Sequence, residues 1–339
     1  MARARADARL PGCFTEHARS VQNRQAQSSA HRGRGGITLE KIHQGTPVII
    51  DLPPYGLALI SAFLFALGGQ VQNLGLQTLD PRTGTMLTIG SSTAFYWLAA
   101  PFLLNPAHFL HPAALIFVAI GFVRPALSAN LSVAAIRHIG PTLTATLNAT
   151  SPLFAAAFGI IILDEMLSWQ IACGTAGIIG AVLILSRRNK KLPASFPLWA
   201  LALPVAAAMI RAGAHGFIKI GTVYIPDPYF AGLIGFTVSF LLTSTLHVMK
   251  GGGRPKIDIG DHGPRWFMTA GLMFGSAIFC LNTALMKGSM ITVVPIIAIS
   301  PMFSMLLSII VFRKEHLTLK IAAAVIIVVT SVILIVLGK

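Results

Sequence analysis

Arg137-His138-Ile139-Gly140-Pro141-Thr142, then Ser151-Pro152, then Glu165-Met166-Leu167-Ser168-Trp169-Gln170 interrupt a chain that is otherwise apolar over long distances. The Gly-Pro pair stops one apolar run and opens the next, the Ser-Pro pair falls inside that next run, and the Glu-x-Leu-Ser turn precedes a third. The same order returns about 150 residues later, the mark of an internal duplication. Ala134, Arg137, Ser151, Pro152, Phe154, Glu165, Leu167 and Ser168 have counterparts in Ala284, Lys287, Ser300, Pro301, Phe303, Glu315, Leu317 and Thr318. The repeat is weak: the register slips between the Ser-Pro pair and the Glu, and Met290-Ile291-Thr292 stands where the first half has Gly-Pro-Thr.

Outward from this stretch, each half holds five apolar runs. In the first half they are Gly56 to Leu76, Gly84 to Leu104, Pro112 to Ile136, Thr142 to Leu163 and Trp169 to Ser186. In the second half they are Leu198 to Ile218, Tyr229 to Met249, Trp266 to Met286, Met290 to Phe312 and Leu319 to Leu337. A helix needs roughly 20 mainly apolar residues to cross a hydrocarbon core of about 30 Å. It also satisfies its own backbone hydrogen bonds where no water can. The sequence therefore predicts an all-α integral membrane protein of about ten transmembrane helices. Five passes per half is an odd number, so the halves must insert upside down relative to each other, as two inverted five-helix repeats. Residues 1–46 form a basic tail, 47–186 the first repeat, 187–197 a basic linker and 198–339 the second repeat.

Composition agrees. Of 339 residues 54% are apolar and 11% charged, against about 25% charged in a soluble domain. All eleven acidic residues fall outside the runs. The net charge of +15 comes from residues that flank apolar helices, which suits anionic lipid headgroups and not nucleic acid. Cys13, Cys173 and Cys280 are too scattered for a disulfide framework or a zinc site. The tail, rich in Arg, Ala, Gln, Ser and His, has the composition of a disordered segment. It carries no secretory h-region. A transit-like segment and sequence lying upstream of the true start both remain open for it.

The ordered set Arg137 to Thr142, Ser151-Pro152, Glu165 to Gln170 and Gly174 resembles the EamA-type branch of the drug/metabolite transporter superfamily, from about Pro53 to the C-terminus. The resemblance implies two five-helix repeats around a central cavity lined largely by the third and fourth helices of each half. It also implies export or exchange of small metabolites, cytoplasmic termini and a bacterial cytoplasmic (inner) membrane. Lys and Arg in the connectors after runs five, seven and nine oppose that orientation under the positive-inside rule.

Within the runs, polar residues are few, and each is a candidate for the solute pathway. Arg124 falls in the middle of the third run with Ser128 one turn on, and Arg211, His215 and Lys219 share one face of the sixth at i, i+4 and i+8. Thr144, Asn148 and Ser151 share a face of the fourth, and Gln70, Asn73 and Gln77 mark the end of the first. Intramembrane cations usually face a cavity or a partner. With no carboxylate inside the runs, the counter-charge for Arg124 and Arg211 is expected to be a small anionic or zwitterionic solute held by a bidentate fork. Snorkelling or bonds to exposed carbonyls is the structural alternative. Pro152 and Pro301 are expected to kink the fourth and ninth helices, and Glu165 to cap the helix that follows it.

The expected function is a secondary transporter that exports or exchanges a small polar metabolite, an amino acid, carboxylate or similar anion, by alternating access. A non-transporting scaffold or lipid-handling protein is the alternative. Paired buried Asp residues, His-Glu-x-x-His and Gly-x-Ser-x-Gly are missing, so neither catalytic residues nor a metal or other cofactor is expected. No Walker loop is present. The lipid bilayer is the expected surrounding, and the chain is expected to act as a monomer or homodimer.

Overall fold

The computed structural model describes residues 52–124, 126–186, 197–249, 262–311 and 319–338. The tail, the linker basic residues Arg187 to Lys191, the loop cations Lys250, Arg254 and Lys256, and the repeat mates Glu315, Leu317 and Thr318 lie outside them. Among the described residues every element is helical. In chain order they are α1 (Pro54–Gly75), α2 (Pro81–Leu103), α3 (Ala114–Val123), α4 (Ala126–Asn148), α5 (Ser151–Leu163) and α6 (Trp169–Ser186). The second half adds α7 (Ala202–Tyr224), α8 (Pro228–Met249), α9 (His262–Lys287), α10 (Met290–Ile297), α11 (Ser300–Ile310) and α12 (Leu319–Leu337).

Among the described residues six segments are long and apolar enough to cross a membrane, and four shorter apolar helices accompany them. The shortfall from ten long helices falls on the third and fourth runs, which are broken, and on the fifth and tenth, whose described apolar helices are short; the ninth is broken too but still counts among the six. The third stops at Val123 and restarts at Ala126. Next, Gly140 takes φ 78° and ψ 166°, a conformation open to glycine and strained for other residues, and it divides α4 into two pieces. The fourth run is interrupted again by a turn at Ala149 and Thr150, and the ninth by a turn at Ala298 and Ile299. Pro152 and Pro301 do not bend continuous helices as expected. Each sits in the first turn of the piece that follows a break, where its missing N–H would have had no intrahelical partner.

The helices pair in a pattern that survives exchange of the two halves. α1 lies along α9 and α4 along α7; α2 packs on α9 and α3 on α8; α5 packs on α7 and α11 on α1; α2 meets α8 and α6 meets α12. Between helices in lipid, where apolar burial gives little preference for one partner over another, close backbone approach and polar bonds decide association. Ser61 donates to the Ala277 carbonyl at 2.8 Å, joining α1 to α9, and Ser92 donates to the Gly271 carbonyl at 2.7 Å, joining α2 to α9. At the start of α8, one Asp227 oxygen accepts from the Tyr229 and Phe230 N–H groups, both at 3.0 Å, and the other meets His108 Nδ1 at 3.1 Å. Gly174 lets α6 touch α12: a Cβ there would lie 2.6 Å from the Ser331 carbonyl oxygen.

Replacing Gly174 by Leu should lower the unfolding midpoint in detergent, at a cost of about 1–3 kcal/mol for overpacking. Gly180, on the same helix, has nothing within 4 Å of its would-be Cβ, and Gly180→Leu should leave the midpoint nearly unchanged. Equal losses from the two variants would show that the α6–α12 contact is not what the glycine serves.

Candidate functional site

Arg124 is not inside a helix. The residue after it is Pro125, and a proline disfavours helical backbone in its predecessor. Arg124 accordingly ends α3 with φ −133° and ψ 132°. Its carbonyl, left without a helical partner, accepts from Ser239 Oγ of α8 at 2.9 Å. The guanidinium reaches His215 Nδ1 at 3.4 Å. Because a guanidinium only donates, that ring nitrogen acts as acceptor and the imidazole proton is assigned to Nε2.

The stripe on α7 divides by function along its length. Arg211 donates to Asn148 Oδ1 at 2.8 Å and to Ser132 Oγ at 3.4 Å. His215, one turn on, is buried beside Arg124. Lys219, a further turn on, donates to Glu165 Oε1 and to the Gly288 carbonyl, both at 2.6 Å.

Arg124, Asn148, Ser151, Arg211 and His215 line one cavity of about 490 Å³. These polar groups come from α3, α4, α5 and α7, which pack against one another. Phe65 of α1, Ile178, Ile179 and Val182 of α6, Leu281 of α9, and Val294 and Ile297 of α10 supply apolar lining, with Ser300 and Pro301 where α11 begins. Among the described residues no Asp or Glu lines it. Ser128 and Thr144 are buried elsewhere, and the Thr144 hydroxyl bonds the Gly140 carbonyl of its own helix at 2.8 Å. Ser151 donates to the Ala208 carbonyl of α7 at 3.4 Å. Asn73 and Gln77 are exposed. Gln70 instead bonds the Ser304 carbonyl at 2.7 Å and its hydroxyl at 2.9 Å, tying α1 to α11.

Glu165 does cap a helix, but not the one that follows it. α5 ends with Asp164 in the left-handed region at φ 50°, and the Glu165 N–H returns to the Gly159 carbonyl at 3.0 Å. This is the tight closure of a helix C-terminus. The carboxylate is thereby turned toward the second half, where Oε1 accepts from the Met290 N–H at 2.7 Å and Oε2 from the Ile291 N–H at 2.9 Å. It therefore caps α10. Gly159 permits the approach, since a Cβ there would stand 2.8 Å from Ile291 Cγ2 and 3.0 Å from Glu165 Oε2.

Along α10 and α11 the cavity lies between two ties. Met290 and Ile291 are held by Glu165 one turn before Val294, and Ser304 is held by Gln70 one turn after Ser300. The spacing of Lys219 marked it as part of the stripe, but nothing in the sequence pairs it with Glu165. Among the described residues no group of three or more His, Cys, Asp or Glu is placed to hold a metal ion.

Residues 52–187 and 198–337 each match the EamA-like transporter family. A solved structure titled only as the crystal structure of a protein superposes with a TM-score of 0.70 at 14% identity, covering 84% of this chain and 97% of its own. At that identity it speaks for the fold alone. None of the curated proteins matches.

The Glu165 and Lys219 side chains are 9% and 21% exposed, so removing either partner strands a mostly buried charge, at a cost of about 3–5 kcal/mol. Glu165→Ala and Lys219→Met should each lower stability in detergent. The double variant should lose clearly less than the two losses added, because the stranded charge is gone. Simple additivity would show that the two groups do not act as a pair.

Proposed function

The chain belongs to the EamA-like transporter family and is a membrane transporter of the drug/metabolite superfamily, and on that premise we propose that it is a secondary carrier for a small anionic metabolite. In this reading the chain crosses a bacterial cytoplasmic membrane ten times as two inverted repeats, with cytoplasmic termini. Solute binds in the cavity between the repeats, and alternating access opens one end at a time.

The observation that carries the proposal is that Arg124 and Arg211 line the same cavity and that their hydrogen-bond partners among the described residues are neutral: His215, Asn148 and Ser132. Two guanidiniums in a water-poor interior repel each other and lack a compensating charge. A carboxylate supplies that charge and matches the planar donor fork of arginine. In the proposed mechanism Arg124 is the main anchor, set on a helix break where backbone and side chain both face polar partners. Arg211 is oriented by Asn148, and Ser151 and His215 complete the polar wall. Reorientation requires the two ties to break in turn, the Glu165–Lys219 end in one state and the Gln70–Ser304 end in the other.

The same charge argument gives the mode of transport. An empty carrier must carry two uncompensated guanidiniums through its reorientation, whereas a loaded one moves with the charge partly neutralised. Exchange should therefore outrun net flux. In proteoliposomes, counterflow of labelled organic anions against an internal anion pool should saturate and exceed efflux into anion-free buffer. Arg124→Ala should reduce counterflow about a hundredfold, in line with losing one partner of a buried charged contact. Unchanged counterflow in that variant would overturn Arg124 as anchor. Absence of saturable flux for every anion would favour a scaffold or lipid-handling protein instead.

A further inference from the structure

We infer that the solute is an amphipathic monoanion, a carboxylate on an apolar body with no ammonium group. This rests on the carrier reading above and narrows it. The cavity is one-sided. Its charged, imidazole and amide side chains, Arg124, Asn148, Arg211 and His215, belong to the packed set α3, α4 and α7, with Ser151 added from α5. Elsewhere the described lining is hydrocarbon from Phe65, Ile178, Val182, Leu281, Val294 and Ile297, contributed by four other helices and interrupted by Ser300 at the start of α11.

A free amino acid has a carboxylate and an ammonium a few bonds apart. Seating the carboxylate on Arg124 and Arg211 brings the ammonium up to the same two cations. Among the described residues no Asp or Glu lines the cavity to receive it, and placing like charges together at a desolvated contact is strongly unfavourable. A dianion short enough to place a carboxylate on each guanidinium leaves the hydrocarbon part of the lining unfilled, and a longer one projects its second charge there, where it has no partner. A neutral molecule leaves the guanidiniums as they were. A carboxylate carrying a branched aliphatic or aromatic group fits both parts at once, and the cavity volume lies within the usual range for small-molecule sites, about 300–1,000 Å³.

The test uses the full chain in nanodiscs and measures dissociation constants by titration calorimetry for four probes. Hydrocinnamate and phenylalanine differ only by the ammonium group, hydrocinnamyl alcohol lacks the charge, and succinate lacks the apolar body. Hydrocinnamate should bind at least about tenfold more tightly than each of the others, since like-charge contacts at an interface cost more than a factor of ten. Val294→Thr, which keeps shape but replaces a methyl by a hydroxyl, should weaken hydrocinnamate about fourfold, the equivalent of one buried methyl, and leave succinate unchanged. Phenylalanine binding as tightly as hydrocinnamate would overturn the exclusion of an ammonium, and succinate binding more tightly would overturn the apolar body. In both cases the anion-carrier reading would stand. Binding of the alcohol as tightly as hydrocinnamate, or binding of none of the four, would overturn the inference, and anion counterflow would then decide separately whether the carrier reading survives.

Discussion

At Glu165 a single carboxylate accepts from three donors: the Lys219 ammonium and the first two N–H groups of α10. The constraint behind it is general. A helix that begins in apolar surroundings has N-terminal N–H groups that no intrahelical carbonyl can take, and each must find an acceptor. Ser289 stands at the N-cap of α10 but makes no side-chain cap bond, and its hydroxyl is engaged with Thr292 Oγ1 at 2.8 Å. The acceptor comes instead from the turn after α5, in the other half of the molecule. Lys219 of α7 balances the charge. One residue of the first repeat thereby fixes where two helices of the second repeat stand, and the lower half of the cavity follows from their positions.

The breaks in the third, fourth and ninth runs bear on the same cavity, since Arg124, Ala149 and Ala298 at those breaks all line it. Each break in the fourth and ninth runs joins the C-terminal end of one piece to the N-terminal end of the next. Their opposed partial charges lie close together and largely offset. The field in the cavity is therefore set by side chains and not by backbone dipoles. Among the described lining residues stand two guanidiniums and no carboxylate, which makes the side-chain contribution to that field positive.

Much of this was legible in the sequence, for identifiable reasons. Helical architecture and duplication follow from run length and from the Ser-Pro and Glu-x-Leu-Ser pattern, which depend on local chemistry. The α7 stripe was legible because spacing of four residues holds on any helix, and Asn148 and Ser151 because they sit at a break that exposes them. The partner of Thr144 was not legible, because a threonine hydroxyl can turn to donate to the carbonyl four residues back in its own helix. Nor was the partner of Gln70, whose amide reaches Ser304 of α11 far along the chain. The apolar lining was invisible, since a helix in lipid is hydrophobic on every side and no periodicity separates Phe65 or Val294 from residues that face the membrane. The tie from Glu165 to Met290 and Ile291 joins residues far apart in sequence, and no local rule names such a partner.

The pairing of helices is nearly symmetric between the halves, but the charge laid upon it is not. Arg211, His215 and Lys219 lie on α7, while its counterpart by helix pairing, α1, carries no charged residue between Pro54 and Gly75. The two ties along α10 and α11 differ accordingly, an ion pair with helix capping before the cavity-lining residues and a neutral amide after them. An ion pair in a low-dielectric setting is strong when dry and weakens sharply once water reaches it, whereas an amide bond to a carbonyl changes less on wetting. The near-symmetric pairing of the helices is therefore fastened by two interactions that answer differently to water, and the contact most exposed to that difference is the one at Glu165, where a charge and two helix N–H groups share a single carboxylate.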